Sequence, residues 1–121
     1  LSREDVHWID AQGLWEDLHT RAAEDQPLIV DVREPREYRQ GHIPEAISVP
    51  LTQFKEGDPG LPADQDIVLV CRTSRRSQLA AGALHKLGYE NLTILDGGMT
   101  SWEAAKLLEA VEVFPENGES P

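Results

Sequence analysis

The sequence predicts a single α/β domain built on a mainly parallel sheet. Three short, nearly continuous apolar runs, at residues 28–32, 66–70 and 91–95, have the pattern of parallel strands that are covered on both faces. Segments with helical apolar spacing separate these runs, and such strand–helix alternation is typical of a parallel sheet flanked by helices. The length of 121 residues fits one domain of ordinary size.

The N-terminal part of the chain predicts a strand and then a helix. Residues 6–9 read as a short edge strand, and the carboxylate of Asp10 is placed to accept from the free amides of the following helix. We expect that helix to run to the Asp25–Pro27 stretch, where proline ends it. Its apolar face carries residues four positions apart, Leu14, Leu18 and Ala22.

Short elements follow the 28–32 strand. Pro35 suits the first turn of a short helix, because its missing N–H is not needed there, and the turn at residues 41–44 ends that helix. Residues 46–50 predict another short strand that stops at a proline, and residues 51–55 predict one helical turn.

Two longer helices are predicted in the C-terminal half. The first opens near Ser77 and ends at Gly88. Its apolar stripe consists of Leu79, Ala80, Ala83, Leu84 and Leu87. The second follows the glycines at 97–98 and is expected to continue through Leu108. Its apolar side consists of Met99, Trp102, Ala105 and Leu108, of which we assign Trp102 to the core. The domain is expected to span residues 1–114, with a polar, disordered tail at 115–121.

The net charge of −11 argues against nucleic acid as a partner, because phosphate binding needs a basic face. No apolar run approaches the roughly 20 residues of a membrane span, so we expect no membrane partner. No signal peptide is visible, which favours a cytoplasmic location. The first residue is Leu1 rather than Met, so a mature periplasmic form or a domain of a larger protein stays open.

Cysteine and histidine usage predicts neither a disulfide nor a metal site. Cys71 is the only cysteine, and the histidines are scattered without ligand spacing. His42 is interpreted as a structural turn residue rather than as a ligand or base. The histidines are His7, His19, His42 and His85.

Cys71 is the candidate nucleophile. It ends an apolar strand and is followed by a loop with three arginines and then by a helix, in a chain that is otherwise strongly acidic. Helix N-terminal amides, converging loop amides and guanidinium groups all favour the thiolate, the reactive form of cysteine. The alternative is a buried structural cysteine that packs as a small hydrophobe. The loop residues are Arg72, Thr73, Ser74, Arg75 and Arg76.

A parallel sheet would bring Asp31, Cys71 and Asp96 to the same edge, where such sheets bind ligands. There is no second cysteine for a dithiol cycle, and no cofactor is expected. A lone activated thiolate in an anion cradle suits attack on the outer sulfur of a donor such as thiosulfate. It also suits attack on phosphorus or arsenic.

Four motifs resemble those of the rhodanese-like sulfurtransferase domain, in the same order and spacing, from about residue 6 to residue 108. The resemblance implies a sheet of about five strands with helices on both faces. It also implies a ping-pong cycle in which Cys71 becomes a persulfide and passes sulfur to cyanide, a thiol or a protein. The motifs are Asp31-Val32-Arg33 with Glu37-Tyr38, residues 41–47, residues 71–77, and Leu95-Asp96-Gly97-Gly98 with Trp102.

The resemblance also implies roles for the loop residues. The amides of residues 72–76 would cradle the persulfide or the oxyanion of a small anionic donor. Arg76 stands at the position of the arginine that closes the loop in the family, and Arg72 is expected to hold the sulfonate of the donor. Asp31 and Arg33 are expected to fix the loops by hydrogen bonds, or equally to form a purely structural ion pair.

Three departures from the family pattern and two alternatives remain. Ser74 and Glu45 stand where glycine is frequent, and the usual Ala-Gly-x-Pro ending is absent. A positive φ at Ser74 would cost about 1–2 kcal/mol. The loop is one residue shorter than the phosphatase pattern, which would need arginine at position 77, so a phosphatase or arsenate reductase ranks below a sulfurtransferase. A non-catalytic binding or regulatory module stays an alternative.

Overall fold

The computed structural model describes residues 1–112. Five strands form one sheet in the order β1-β5-β4-β2-β3, and every pairing is parallel. The predicted α/β class, the five strands and the position of β1 at an edge are therefore confirmed. The predicted tail at 115–121 and the end of the predicted domain at 113–114 lie outside the described residues. The strands are β1 (His7–Ile9), β2 (Leu28–Asp31), β3 (Ile47–Ser48), β4 (Ile67–Val70) and β5 (Leu92–Leu95).

The helices follow from local sequence signals. Asp10 accepts a 2.7 Å hydrogen bond from the Gly13 amide, and Pro35 stands in the first turn of its helix, so both predicted helix starts are confirmed. Within residues 1–112, no helix has the length and apolar composition to cross a membrane. The helices are α1 (Ala11–Thr20), α2 (Pro35–Gln40), α3 (Leu51–Glu56), α4 (Arg75–Lys86) and α5 (Gly98–Ala104).

The sheet separates two hydrophobic cores. Side chains along β4 alternate between them: Ile67, Leu69 and Cys71 belong to one core, and Val68 and Val70 to the other. The first core is closed by α3 and α4, and the second by α1 and α5. Cys71 therefore lies on the α4 side of the sheet, in front of the first turn of that helix.

Two predicted boundaries are wrong. The first helix ends at Thr20, and a separate 3-10 turn covers Ala23–Asp25. Gln26 stabilises this early end, because its side-chain amide donates to the carbonyls of Leu18 and Arg21 at 3.0 and 3.2 Å, and these carbonyls have no partner further along the helix. The strand predicted at 46–50 is reduced to the two residues of β3.

The predicted apolar stripe of α4 is wrong at two positions. The helix begins at Arg75, two residues before Ser77, and its buried face includes Ala81. Leu79 and Leu87 are 57% and 47% exposed. The side of α4 that faces the sheet is therefore lined mainly by small residues, which lets the helix pack closely over β4.

The predicted continuation of the last helix through Leu108 is wrong. The helix ends at Ala104, Lys106 adopts a left-handed φ of 57°, and Leu108 is 65% exposed. This turn sends the chain back across α2, where Ala110 exchanges backbone hydrogen bonds of 2.8 and 2.9 Å with His42. Trp102 is fully buried, as predicted, and its ring N–H donates to the Leu108 carbonyl at 3.0 Å.

The turn between β5 and α5 packs directly on the backbone that leaves β4. The amides of Met99 and Thr100 donate to the carbonyls of Cys71 and Arg72 at 2.8 and 3.0 Å. A Cβ atom at Gly98 would stand 2.2 Å from the Cys71 carbonyl oxygen, so glycine is required at this position. The turn thereby fixes the first peptide units of the cysteine loop.

We predict that Gly98→Ala lowers the free energy of unfolding by about 3 kcal/mol or more, because it combines a left-handed residue with a backbone clash. Gly60→Ala is the matched control. Its φ is 76° and no atom lies within 4 Å of its added Cβ, so only the left-handed conformation is penalised and a loss of about 1–2 kcal/mol is expected. Chemical denaturation measures both, and equal losses would contradict the close approach at Gly98.

Glu45 is an exposed residue with a left-handed φ of 73°. We predict that Glu45→Gly raises the free energy of unfolding by up to about 1 kcal/mol, because relief of backbone strain exceeds the added entropy of the unfolded chain. The control is Glu16→Gly in the exposed side of α1, which should lower it by about 1 kcal/mol. A loss at both positions in urea unfolding would contradict the strain at Glu45.

Candidate active site

Cys71 follows the last residue of β4 and faces the first turn of α4. The residue is 1% exposed, and its sulfur accepts a hydrogen bond from the Ser77 amide at 3.4 Å. The thiol is therefore enclosed, and one helix N-terminal N–H points at it. The inward N–H matches a nucleophile held at a helix terminus better than it matches a sulfur on a plain core strand, whereas the enclosure by itself also fits a structural cysteine.

The loop amides remain available to a ligand. The first turn of an α-helix leaves its N–H groups without partners inside the helix. Among the hydrogen bonds formed within residues 1–112, none uses an amide of residues 72–76. These five N–H groups therefore have no acceptor in the described part of the chain, and the Ser77 amide is the one that lies at the Cys71 sulfur.

Ser74 stands where glycine is frequent in the family, and it adopts a positive φ of 149° with a ψ of −16°. Its hydroxyl offsets this strain with two hydrogen bonds to the neighbouring turn. It accepts from the Gly97 amide at 2.8 Å and donates to the Leu95 carbonyl at 3.4 Å. The serine that replaces glycine thus ties the middle of the loop to the end of β5.

Arg76 connects the loop to α2. Its guanidinium donates to both carboxylate oxygens of Glu37, at 2.7 and 3.0 Å, in the bidentate geometry that arginine favours. Hydrogen bonding from Arg76 lowers the pKa of Glu37, and hydrogen bonding to Glu37 raises the pKa of Arg76, to which the nearby Cys71 also contributes. Arg76 therefore closes one side of the loop, in the place where the resemblance put a closing arginine.

Arg72 closes the other side of the loop. It forms a 2.5 Å ion pair with Glu103 of α5, and both side chains are more than a third exposed. Thr73 and Arg75 are exposed as well. The sequence predicted a cationic spot, but Arg72 and Arg76 are both paired with carboxylates from other elements. The sequence could not show the pairing of Arg72 with Glu103, because α5 is distant from the loop in the chain.

Asp31 and Arg33 form a buried, bidentate ion pair beside the loop. The Arg33 guanidinium donates to both Asp31 oxygens, at 2.9 and 2.7 Å, and to the Gly41 carbonyl at 2.7 Å. The pair thus holds the loop after β2 and the end of α2 together. Removing one partner of such a pair costs about 3–5 kcal/mol, because the other charge is left buried.

His42 and Asp96 take no part in the loop. His42 stacks on Tyr38 at 3.8 Å between ring centroids, and its Nδ1 lies 2.8 Å from the Tyr38 carbonyl, in keeping with a structural role. Asp96 lies at the same sheet edge as Cys71 and Asp31, as expected from parallel strands, but its carboxylate faces Arg3 at 3.8 Å.

A cleft of about 410 Å³ opens beside the loop, between α2 and α5. Glu109 reaches it from the segment that follows α5, and burial together with the neighbouring Glu103 raises the pKa of Glu109. The cleft therefore carries more carboxylates than the sequence analysis predicted for an anion site. Its lining residues are Arg33, Glu37, Gln40, Gly41, Arg72, Glu103 and Glu109.

Sequence reasoning assigned no role to Glu37, Ser77, Glu103 or Glu109. Glu37 stands in a motif that carried the resemblance, so a pairing with a loop arginine could have been inferred from it. Ser77 was treated only as the start of a helix, although it follows the last arginine of the loop directly. Nothing in the local sequence marks Glu103, whose partner Arg72 is distant in the chain, or Glu109, which follows the misplaced end of α5.

Comparisons with known proteins agree with this geometry. A family model described as a rhodanese-like domain matches residues 14–105. A sulfurtransferase from Allochromatium vinosum is 35% identical over 97 residues, covering 80% of this chain and 88% of that protein. The thiosulfate sulfurtransferase GlpE of Pseudoalteromonas translucida is 37% identical over 78 residues, covering 64% of this chain and 74% of that protein.

The fold is shared with solved structures. The crystal structure of a rhodanese-related protein from Thermoplasma volcanium has a TM-score of 0.75 and 28% sequence identity, covering 88% of this chain and 99% of that chain. Five parallel strands, a cysteine before α4 and the match of the family model over most of the chain lead to one conclusion. The chain belongs to the rhodanese-like domain family.

Proposed function

We propose that this protein is a sulfurtransferase that carries sulfane sulfur on Cys71. The observation that carries the proposal is the position of the Cys71 sulfur at the N-terminus of α4, where it accepts a hydrogen bond from the Ser77 amide at 3.4 Å. Five further loop amides have no acceptor within residues 1–112. A group of donors around one sulfur stabilises an anion at that point.

In the first half-reaction, the Cys71 thiolate attacks the outer sulfur of thiosulfate. A Cys–S bond forms, the S–S bond of thiosulfate breaks, and sulfite leaves with the electron pair of that bond. The product is a Cys71 persulfide anion, whose charge is placed among the loop amides. A low-molecular-weight or protein-bound persulfide can serve as donor in the same way, with a thiolate as the leaving group.

In the second half-reaction, an acceptor attacks the outer sulfur of the persulfide. Cyanide gives thiocyanate, and a thiol or protein cysteine gives a new persulfide, while Cys71 returns as thiolate. No external oxidant or reductant is needed, and no cofactor takes part in either step. The role of the protein is to hold the sulfur anion and to exclude water from it.

The donor enters by the cleft between α2 and α5. Cys71 is 1% exposed and does not itself line this cleft, so entry of the donor requires a local movement, for which we propose the opening of one of the two ion pairs beside the loop, Arg72–Glu103 or Arg76–Glu37. The Arg72–Glu103 pair is exposed and so contributes at most about 1 kcal/mol, which makes it the easier of the two to open. Arg72 is then free to hold the sulfonate of the donor.

The enclosed sulfur favours a second candidate, a binding module that performs no sulfur transfer. In that case the two ion pairs stay closed, and Cys71 serves only as a small core residue in the cluster it shares with Leu69 and Ala80. The two candidates differ in one observable, which is whether Cys71 accepts a sulfur atom.

We predict that thiosulfate adds about 32 Da, one sulfur atom, to the wild-type protein and nothing to Cys71→Ser, because only the thiolate can attack the donor. Intact-protein mass spectrometry measures the adduct, and cyanide should remove it with release of thiocyanate. An unmodified wild-type protein, or an equal adduct on Cys71→Ser, would contradict the proposal and favour the binding module.

We predict that Glu103→Gln increases the rate of adduct formation with thiosulfate severalfold, because it releases Arg72 and removes a negative charge from the cleft. The increase should shrink at high salt, where exposed charges are screened. Glu90→Gln is the matched control, since Glu90 is exposed at the opposite edge of the sheet, before β5. Equal rates in both variants would contradict entry of the donor beside Arg72.

A further inference from the structure

The hydroxyl of Ser77 is a polar group whose position the fold does not explain. Ser77 lies in the first turn of α4, the residue is 0% exposed, and its Oγ has no hydrogen-bond partner within residues 1–112. Buried hydroxyls are normally satisfied, and an unsatisfied one reduces stability. It is the one buried side-chain N or O atom in this part of the chain that lacks a partner.

Packing alone does not account for a serine at this position. The neighbouring buried positions of α4 are occupied by Ala80, Ala81 and Leu84, which bury no polar group. An alanine at position 77 would fill nearly the same space without leaving a hydroxyl in an apolar environment. The hydroxyl therefore adds nothing to the packing of α4 on the sheet that an alanine would not supply.

The reactive sulfur is next to this hydroxyl. The amide of the same residue lies 3.4 Å from the Cys71 sulfur, and Oγ is three bonds from that amide nitrogen. Rotation about χ1 moves Oγ among three staggered positions without movement of the backbone. An ionised sulfur is a much stronger acceptor than a neutral thiol, so the hydrogen bond forms when charge develops there.

We infer that the Ser77 hydroxyl donates a hydrogen bond to the Cys71 sulfur in its thiolate form and stabilises that sulfur as the leaving group when the persulfide is cleaved. This inference deepens the proposed sulfur transfer and rests on it for the cleavage step. When the acceptor takes the outer sulfur, the electron pair of the broken S–S bond returns to Sγ of Cys71. The hydroxyl keeps its own proton and supplies the hydrogen bond that Sγ gains in this step.

The test compares Ser77→Ala with the wild type and with Ser48→Ala, a control serine on β3 that is partly buried. Three quantities are measured: the melting temperature, the rate of iodoacetamide alkylation of Cys71 as a function of pH, and the rate at which cyanide removes sulfur from the preformed persulfide. The alkylation profile requires only the thiolate. It therefore reports on Ser77 even if thiosulfate gives no adduct, an outcome that would remove the proposed function alone.

For Ser77→Ala we expect a melting temperature equal to or above that of the wild type, because an unsatisfied hydroxyl is removed. We also expect half-maximal alkylation at a higher pH, and persulfide cleavage slower by about ten- to hundredfold, the usual effect of losing one donor to an anion. Ser48→Ala should match the wild type in alkylation and cleavage.

If Ser77→Ala showed the alkylation profile and cleavage rate of the wild type, the inference would be overturned. A marked fall in melting temperature would also overturn it, since that would place a structural partner on the hydroxyl.

Discussion

The contact between the Ser77 amide and the Cys71 sulfur is the interaction on which the site depends. It exists because β4 ends at residue 70 and α4 begins at residue 75, so that the intervening loop has to turn the first amides of the helix back over the end of the strand. In a parallel sheet flanked by helices, this junction lies at the ligand-binding edge. A thiol placed there lies in the field of unpaired N–H groups, and the same atom in the middle of β4 would not.

The rest of the chain holds this junction in place from three sides. The turn after β5 presses on the Cys71–Arg72 backbone and requires glycine at position 98. The hydroxyl of Ser74 accepts a hydrogen bond from the Gly97 amide in that turn, which compensates the unfavourable φ of Ser74. Arg76 joins the loop to α2 through a carboxylate with a lowered pKa. Each contact restricts the conformations open to the loop.

Much of this architecture could be predicted from the sequence, for identifiable reasons. The buried strands form continuous apolar runs, and Asp10 and Pro35 start helices through their own side chains. The order of strands and helices along the chain could therefore be predicted, and with it the position of Cys71 at the end of a strand. Contacts between distant segments could not be predicted in this way. The pairing of Arg72 with Glu103 depends on how α5 packs against the loop. The chain turns back at Lys106, where φ is positive, although the apolar spacing of the sequence predicts that the helix continues. The burial of Ser77 without a partner likewise emerges only when α4 is packed on the sheet.

The most direct test of the central claim is a crystal structure of the thiosulfate-treated protein. The account predicts an added sulfur on Cys71 that lies within hydrogen-bonding distance of several amide nitrogens between residues 72 and 77. A structure with no added sulfur, or with one that points away from these amides, would contradict it.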